Sequence, residues 1–150
     1  MPTYTVNKKA RFEYEVLETF EAGIMLHGHE VKSVKEGLAN LKGSYATIDP
    51  FGEVYLLSAY ISPYKKATHL QEYDPYHKRK LLLKKSEIEK LIGKLAQKGL
   101  TIAPLSMYSK GNKIKVELGL LKGKKKADKR ESLKKKDIQR DIERTLKYRD

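Results

Sequence analysis

Apolar and polar positions alternate most clearly toward residue 121. Ile114, Val116, Leu118 and Leu120 share one side of a two-residue repeat, the mark of a strand with one buried face. Leu100 to Tyr108 forms a matching run, and Ser109-Lys110-Gly111-Asn112 joins the two, so the spacing predicts a hairpin. Phe12, Tyr14 and Val16 alternate, and then Leu17 and Phe20 fall out of phase. That predicts a strand with an irregularity near its end. Gly23 punctuates, Ile24-Met25-Leu26 reads as a short further strand, and Gly28 breaks again. Ser44 to Ile48 and Glu53 to Leu57 flank Asp49-Pro50-Phe51-Gly52, a second hairpin signal. Ala59-Tyr60-Ile61 continues before Pro63.

Two stretches carry helical spacing. Glu30 to Glu36 makes two turns closed by Gly37, with Val31 and Val34 on one face. Lys80-Leu81-Leu82-Leu83 enters a longer helix with Ser86 as N-cap, Glu89 completing a capping box, and Ile88, Leu91, Ile92 and Leu95 as its apolar stripe. Gly99 ends it. Residues 1–10 read as loose and 62–78 as a surface loop. Six or seven short strands with two or three helices predict a mainly β fold, a closed or nearly closed antiparallel barrel over residues 1–121. Beyond it, Leu133, Ile138, Ile142 and Leu146 form a line too thin to bury. Residues 122–150 are expected to be disordered alone and helical when bound.

Charge changes the picture most. The chain has 32 Lys+Arg against 19 Asp+Glu, a formal net charge of +13. Residues 122–150 hold 13 of those cations and 6 of those anions, so a fifth of the chain carries over half the excess. That implies a polyanionic partner, nucleic acid first and anionic membrane second; a merely solvated basic surface is the bland alternative. A membrane-bound helix is disfavoured, because the tail's apolar line is thin and lacks Trp and Phe. No apolar run approaches the roughly 20 residues of a span. Met1 to Phe12 has no apolar core, so it is no secretory signal, and the default location is the cytoplasm.

Chemistry finds little footing. There is no cysteine, which excludes disulfides and thiolate zinc sites. His27-Gly28-His29 matches no common zinc spacing, and Asp74-Pro75-Tyr76-His77 reads as a turn rather than an acid/base pair. No phosphate loop, dinucleotide fingerprint or nucleophile elbow is present. The reading is therefore a binding protein without catalysis, metal or cofactor, and a monomer. Ten tyrosines accompany the lysines. Tyr64, Tyr73 and Tyr76 lie at loop positions where they could stack on unpaired bases, at about 1–3 kcal/mol each. Tyr14, Tyr45, Tyr55 and Tyr60 fit the barrel core or rim better, and Tyr73 and Tyr76 fit either role. Barrels of the oligonucleotide-binding type use such aromatic and basic faces for RNA.

Several segments occur in a telling order: Asn7-Lys8-Lys9-Ala10-Arg11, Thr19-Phe20-Glu21-Ala22-Gly23-Ile24, Gly28-His29-Glu30-Val31-Lys32-Ser33 and Gly43-Ser44-Tyr45. Asp74-Pro75, Arg79-Lys80-Leu81-Leu82-Leu83, Gly99-Leu100-Thr101-Ile102, Pro104-Leu105, Tyr108 and Lys115-Val116 follow, and then Gly123-Lys124-Lys125 and Asp128-Lys129-Arg130. Each is weak alone, but the ordered set closely resembles the SmpB family of bacterial tmRNA-binding proteins over essentially the whole chain. The resemblance implies an oligonucleotide-binding-type barrel that binds the tRNA-like domain of tmRNA and delivers it to ribosomes stalled without a stop codon. It implies a tail that probes the empty mRNA channel at the small-subunit decoding centre. Alanyl-tRNA synthetase and elongation factor Tu are implied as indirect partners through tmRNA.

Carried over by position, the implied RNA-binding residues are Asn7, Lys8, Glu21, Gly23, Glu30, Lys32, Arg79, Lys122, Lys124 and Lys125. Those implied at the decoding site are Asp128, Lys129, Arg130, Leu133 and Lys134. Lysines supply phosphate contacts, and Glu21 or Glu30 could accept from base donors or orient a lysine. Structural rivals stand beside this: Glu30 capping the short helix, and Gly23 permitting a turn. The chain departs from the family pattern at Phe12, His29, Val34-Lys35, Tyr73, His77 and Ala127. His77 stands for an arginine, which removes a permanent charge from that loop. A permanent ribosomal structural protein is the rival function; its RNA affinity would reside in the tail.

Overall fold

The computed structural model describes residues 2–65 and 72–124. The tail from 125 onward lies outside the described residues, and with it Lys125, Asp128, Lys129, Arg130, Leu133, Lys134 and the Ala127 departure. Nine strands and three helices follow in the order β1 (Thr3–Val6), α1 (Lys8–Glu13), β2 (Tyr14–Ile24), α2 (Gly28–Lys35), β3 (Ala39–Asn40), β4 (Tyr45–Ile48), β5 (Val54–Leu57), β6 (Tyr60–Ile61), β7 (Arg79–Leu82), α3 (Lys85–Leu95), β8 (Leu100–Lys110) and β9 (Lys113–Gly123). Strands β8, β4, β5, β7, β2 and β9 pair in that order, and β9 returns to β8. Six antiparallel strands thus close a ring, β1 extends it beside β8, and β3 and β6 form a separate two-stranded ribbon. Closure leaves no long unpaired edge among these strands.

The alternation on β9 does what it implies. Ile114, Val116, Leu118 and Leu120 point inward with Phe20, Ala22, Leu56, Leu81 and Ile102, while Lys113, Lys115 and Glu117 face out. A second, smaller core lies on the outer face of the same ladder. Leu105, Ala103 and Leu121 are covered there by Ala10 of α1. Gly119 makes the packing possible, since a Cβ at that position would lie 2.9 Å from both Leu105 Cδ1 and Leu121 Cδ2. The register slips between Pro104 and Ser106.

Four expectations change. Residues 2–10, expected to be loose, are structured: β1 pairs with β8, and α1 is pinned by Asn7. Phe12 belongs to α1, so β2 begins at Tyr14; the irregularity lies where the phase slips, at Leu17 between Val16 and Glu18, but near the start of the strand because β2 runs on to Ile24. Gly23 punctuates nothing, because β2 runs through it to Ile24, opposite Lys115 on β9 and Leu82 on β7. Residues 79–82 are strand, not helix entry. Leu81 points into the core and Lys80 out, and β7 joins β5 to β2, without which the ring would not close. The helix starts later, with the Lys84 N–H donating to Glu87 at 3.1 Å in place of a Ser86–Glu89 box. The β4–β5 hairpin, α2 with Gly37 at φ 77°, and the β8–β9 hairpin all appear where the pattern puts them. β9 extends two residues past 121, so Lys122 and Gly123 are strand residues.

Candidate nucleic-acid interface

Most of the described residues singled out by sequence fall into three regions. The first is an open groove of about 450 Å³ at the far end of β2. Gly23 forms part of it, flanked by Leu82, Lys84, Lys110, Lys115 and Glu21. Gly23 has a packing role: a Cβ there would sit 3.3 Å from Leu82 Cβ and 3.7 Å from Lys115 Nζ. The missing side chain keeps the groove open between an apolar wall and an ammonium. Lys110 Nζ lies 3.3 Å from Glu21 Oε2. Burial pushes the Tyr108 phenol up to about 12, with the Glu21 carboxylate adding to it. The groove therefore offers cations for phosphate, a carboxylate for base donors and a small apolar wall, a combination that suits RNA.

The second region lies at the opposite end of the same strand. Tyr14 pairs with Gly123 and Glu15 with Lys122, and the Lys124 N–H donates to the Glu13 carbonyl at 3.2 Å. Lys8 and Lys9 are exposed on α1, and Lys124 Nζ stands 5.9 Å over the Phe12 ring. From Tyr14 to Gly23 is roughly 30 Å at strand rise. The two basic regions thus occupy opposite ends of one ladder. Lys32 is separate from both; it is exposed on α2, 5.6 Å over the Tyr64 ring.

The third region is buried. Glu30 and Arg79 are both fully enclosed, with Arg79 Nε 2.8 Å from Glu30 Oε2. Tyr73 Oη and His77 Nε2 reach the same oxygen at 3.1 and 2.9 Å, while Glu30 Oε1 accepts from the His27 N–H at 3.0 Å. Arg79 also donates to the Ala59 and Pro75 carbonyls. Burial alone would raise the Glu30 carboxyl; the His27 N–H, the Arg79 guanidinium and the His77 ring outweigh it and hold the group at about 2. Asn7 is also buried; its Oδ1 accepts from the Ala10 N–H, and its amide donates to the Leu41 and Pro104 carbonyls.

Three of the residues implied as RNA contacts are buried. Glu30, Arg79 and Asn7 have their polar atoms hydrogen-bonded inside the body. Glu30 fills the capping role weighed for it, through the His27 N–H. Tyr73 joins the buried group, whereas Tyr76 is 57% exposed. Lys84 and Lys110 are groove residues that sequence reasoning passed over. The outward phase of Lys113, Lys115 and Glu117 on β9 was the available signal for that face. Among the described residues no cluster of three His, Asp or Glu side chains could hold a metal, and no helix is long and apolar enough to cross a membrane.

Comparison with known proteins places the chain in a family. The family model described as SmpB protein matches residues 4–148, covering barrel and tail. A relative from Persephonella marina, named SsrA-binding protein, is 51% identical over 141 residues, covering 94% of this chain and 91% of its own. One of the same name from Halothermothrix orenii is 53% identical over 143 residues, covering 95% and 91%. A solved chain reported under "tmRNA-SmpB: a journey to the center of the bacterial ribosome" superposes with a TM-score of 0.69 at 45% identity, covering 89% of this chain and 95% of that one. With a family match that runs through both body and tail, the chain belongs to the SmpB family.

Proposed function

We propose that this protein is a tmRNA-binding adaptor of ribosome rescue. Its barrel binds the tRNA-like part of the RNA, and its basic tail enters the empty mRNA channel of the stalled ribosome. The observation that carries the reading is the match over residues 4–148, which takes in the lysine-flanked groove at Gly23 and the tail together. The groove and the Lys8–Lys124 end are two cationic regions roughly 30 Å apart, a span that fits one folded RNA better than a short single strand. The role is binding and placement in the cytoplasm, with no bond made or broken by the protein.

Gel-shift titration tests it, using a tRNA-like RNA and an unrelated duplex at two salt concentrations. The expected result is tighter, salt-sensitive binding to the tRNA-like RNA; equal affinity for both defeats the reading. Truncation after Lys124 separates this role from that of a permanent ribosomal component. The adaptor keeps RNA binding and loses rescue, whereas the ribosomal component loses binding.

A further inference from the structure

His77 has an unusual pair of partners. Its Nε2 lies 2.9 Å from Glu30 Oε2 and its Nδ1 lies 2.9 Å from the Lys78 carbonyl oxygen. The carbonyl can only accept, and so can Glu30 while it is ionised. A neutral imidazole has one N–H and can satisfy only one of them; its other nitrogen then points a lone pair at an oxygen lone pair. Both bonds form together only when the ring carries two protons. We infer that segment 72–78 is held on α2 by a proton-operated latch, closed when His77 is an imidazolium and loosened when it becomes neutral.

The surroundings are consistent with this. From α2 and its N-cap, His77 faces Glu30 and the His27 ring at 6.1 Å, with His29 stacked 5.8 Å behind His27. From its own segment it faces the edge of Tyr73 at 5.8 Å. Arg79 shares the carboxylate oxygen, and the Lys78 ammonium is turned away, 4.7 Å over the Tyr55 ring. Asp74 is engaged locally, accepting from the Tyr76 N–H at 2.9 Å and, through its carbonyl, from the His77 N–H at 3.1 Å. Glu30 is thus the only carboxylate that the ring meets among the described residues. Arg79 keeps that carboxylate ionised after His77 has lost its proton, so the ring cannot recover its second bond by taking a proton from Glu30.

The latch fixes more than a side chain. The Ile61 N–H donates to the Pro75 carbonyl at 3.1 Å, and Tyr76 packs on Tyr60 with ring centroids 5.2 Å apart. Arg79 also holds the Pro75 carbonyl and Tyr73 the Ile61 carbonyl, so losing the His77 tie weakens the seating of this segment on β6 without releasing it. The sign follows from the donor count: the doubly protonated ring makes both bonds and the neutral ring only one, so the segment should be held better at the acid end of the range than at the alkaline end.

The test uses the full chain at about pH 5 to 8, the range in which histidines change charge. Ring nitrogen NMR at the acid end should show two N–H protons on His77; one only would overturn the proposal. Thermal midpoints should fall by a few degrees more for the natural chain than for His77→Arg as pH rises. Protection of the Ile61 amide should fall with pH in the natural chain and hold in His77→Arg. Parallel curves for the two proteins would overturn it. So would a curve flattened by His27→Gln instead, since that assigns the pH response to another ring. If His77→Arg does not fold, His77→Gln and the NMR titration still decide.

Discussion

Replacing Arg79 with Met tests whether this residue supports the fold or binds RNA. The substitution keeps an unbranched apolar stem and removes a guanidinium that donates to Glu30 at 2.8 Å, to the Ala59 carbonyl at 2.7 Å, to the Pro75 carbonyl at 2.9 Å and to Tyr73 Oη at 3.1 Å. Glu30 is then buried without its permanent cation. Breaking one side of such a pair costs about 3–5 kcal/mol, a large part of the roughly 5–15 kcal/mol that holds a domain together. With a urea slope near 2 kcal/mol/M, the midpoint should fall by about 1.5–2.5 M. Circular dichroism during urea titration reads this directly. The double variant Arg79→Met/Glu30→Leu removes the stranded charge and should recover part of the loss. RNA affinity, corrected for folded fraction, should hold in both. An Arg79→Met midpoint within about 0.5 M of the natural chain, coupled to a tenfold loss of RNA affinity, would refute the buried role.

Four further outcomes are expected. Gly119→Ala places a methyl 2.9 Å from Leu105 and Leu121 and should lower stability by about 1–3 kcal/mol, read from the urea midpoint. The Glu30 carboxyl is held at about 2 against an ordinary 4.5, so it stabilises fully above the ordinary value. That stability drains as pH falls toward 2, and Glu30→Gln should lower stability at neutral pH and flatten the acid limb of an unfolding curve. Glu21→Gln should bring the Tyr108 phenol down from about 12, visible in an ultraviolet titration. Lys110→Ala and Lys115→Ala should each reduce the slope of log affinity on log salt by about 0.7–0.9 if each cation meets one phosphate.

Legibility in the sequence followed the range of the interactions. The β8–β9 hairpin was readable because Ile114 to Leu120 alternate over a local stretch and the turn residues are adjacent. The short α2 was readable from Gly37. The Leu81-Leu82-Leu83 run was not, because a brief apolar stretch suits a helix or a strand equally, and the pairing that decides it comes from β2 and β5. The six-residue α1 has no apolar stripe; it exists because Asn7 caps it and Ala10 covers Leu105 and Leu121. Glu30 and Arg79 looked like surface charges for the same reason. They are 49 residues apart, and nothing near either announces a partner. The turn suggested for Gly23 was not formed, because its missing side chain serves the close approach of Leu82 and Lys115, a property of three strands together.

The double pairing of β9 also has a mechanical meaning. This strand is bonded along both edges, to β2 from Tyr14↔Gly123 onward and to β8 from Leu100↔Lys122 onward. A pull on the chain beyond Lys124, directed along the strand, would load both ladders in shear at once instead of peeling one bond at a time. The junction is therefore a stiff handle: tension taken up by the C-terminal segment passes into the whole ring, and the barrel moves as one piece.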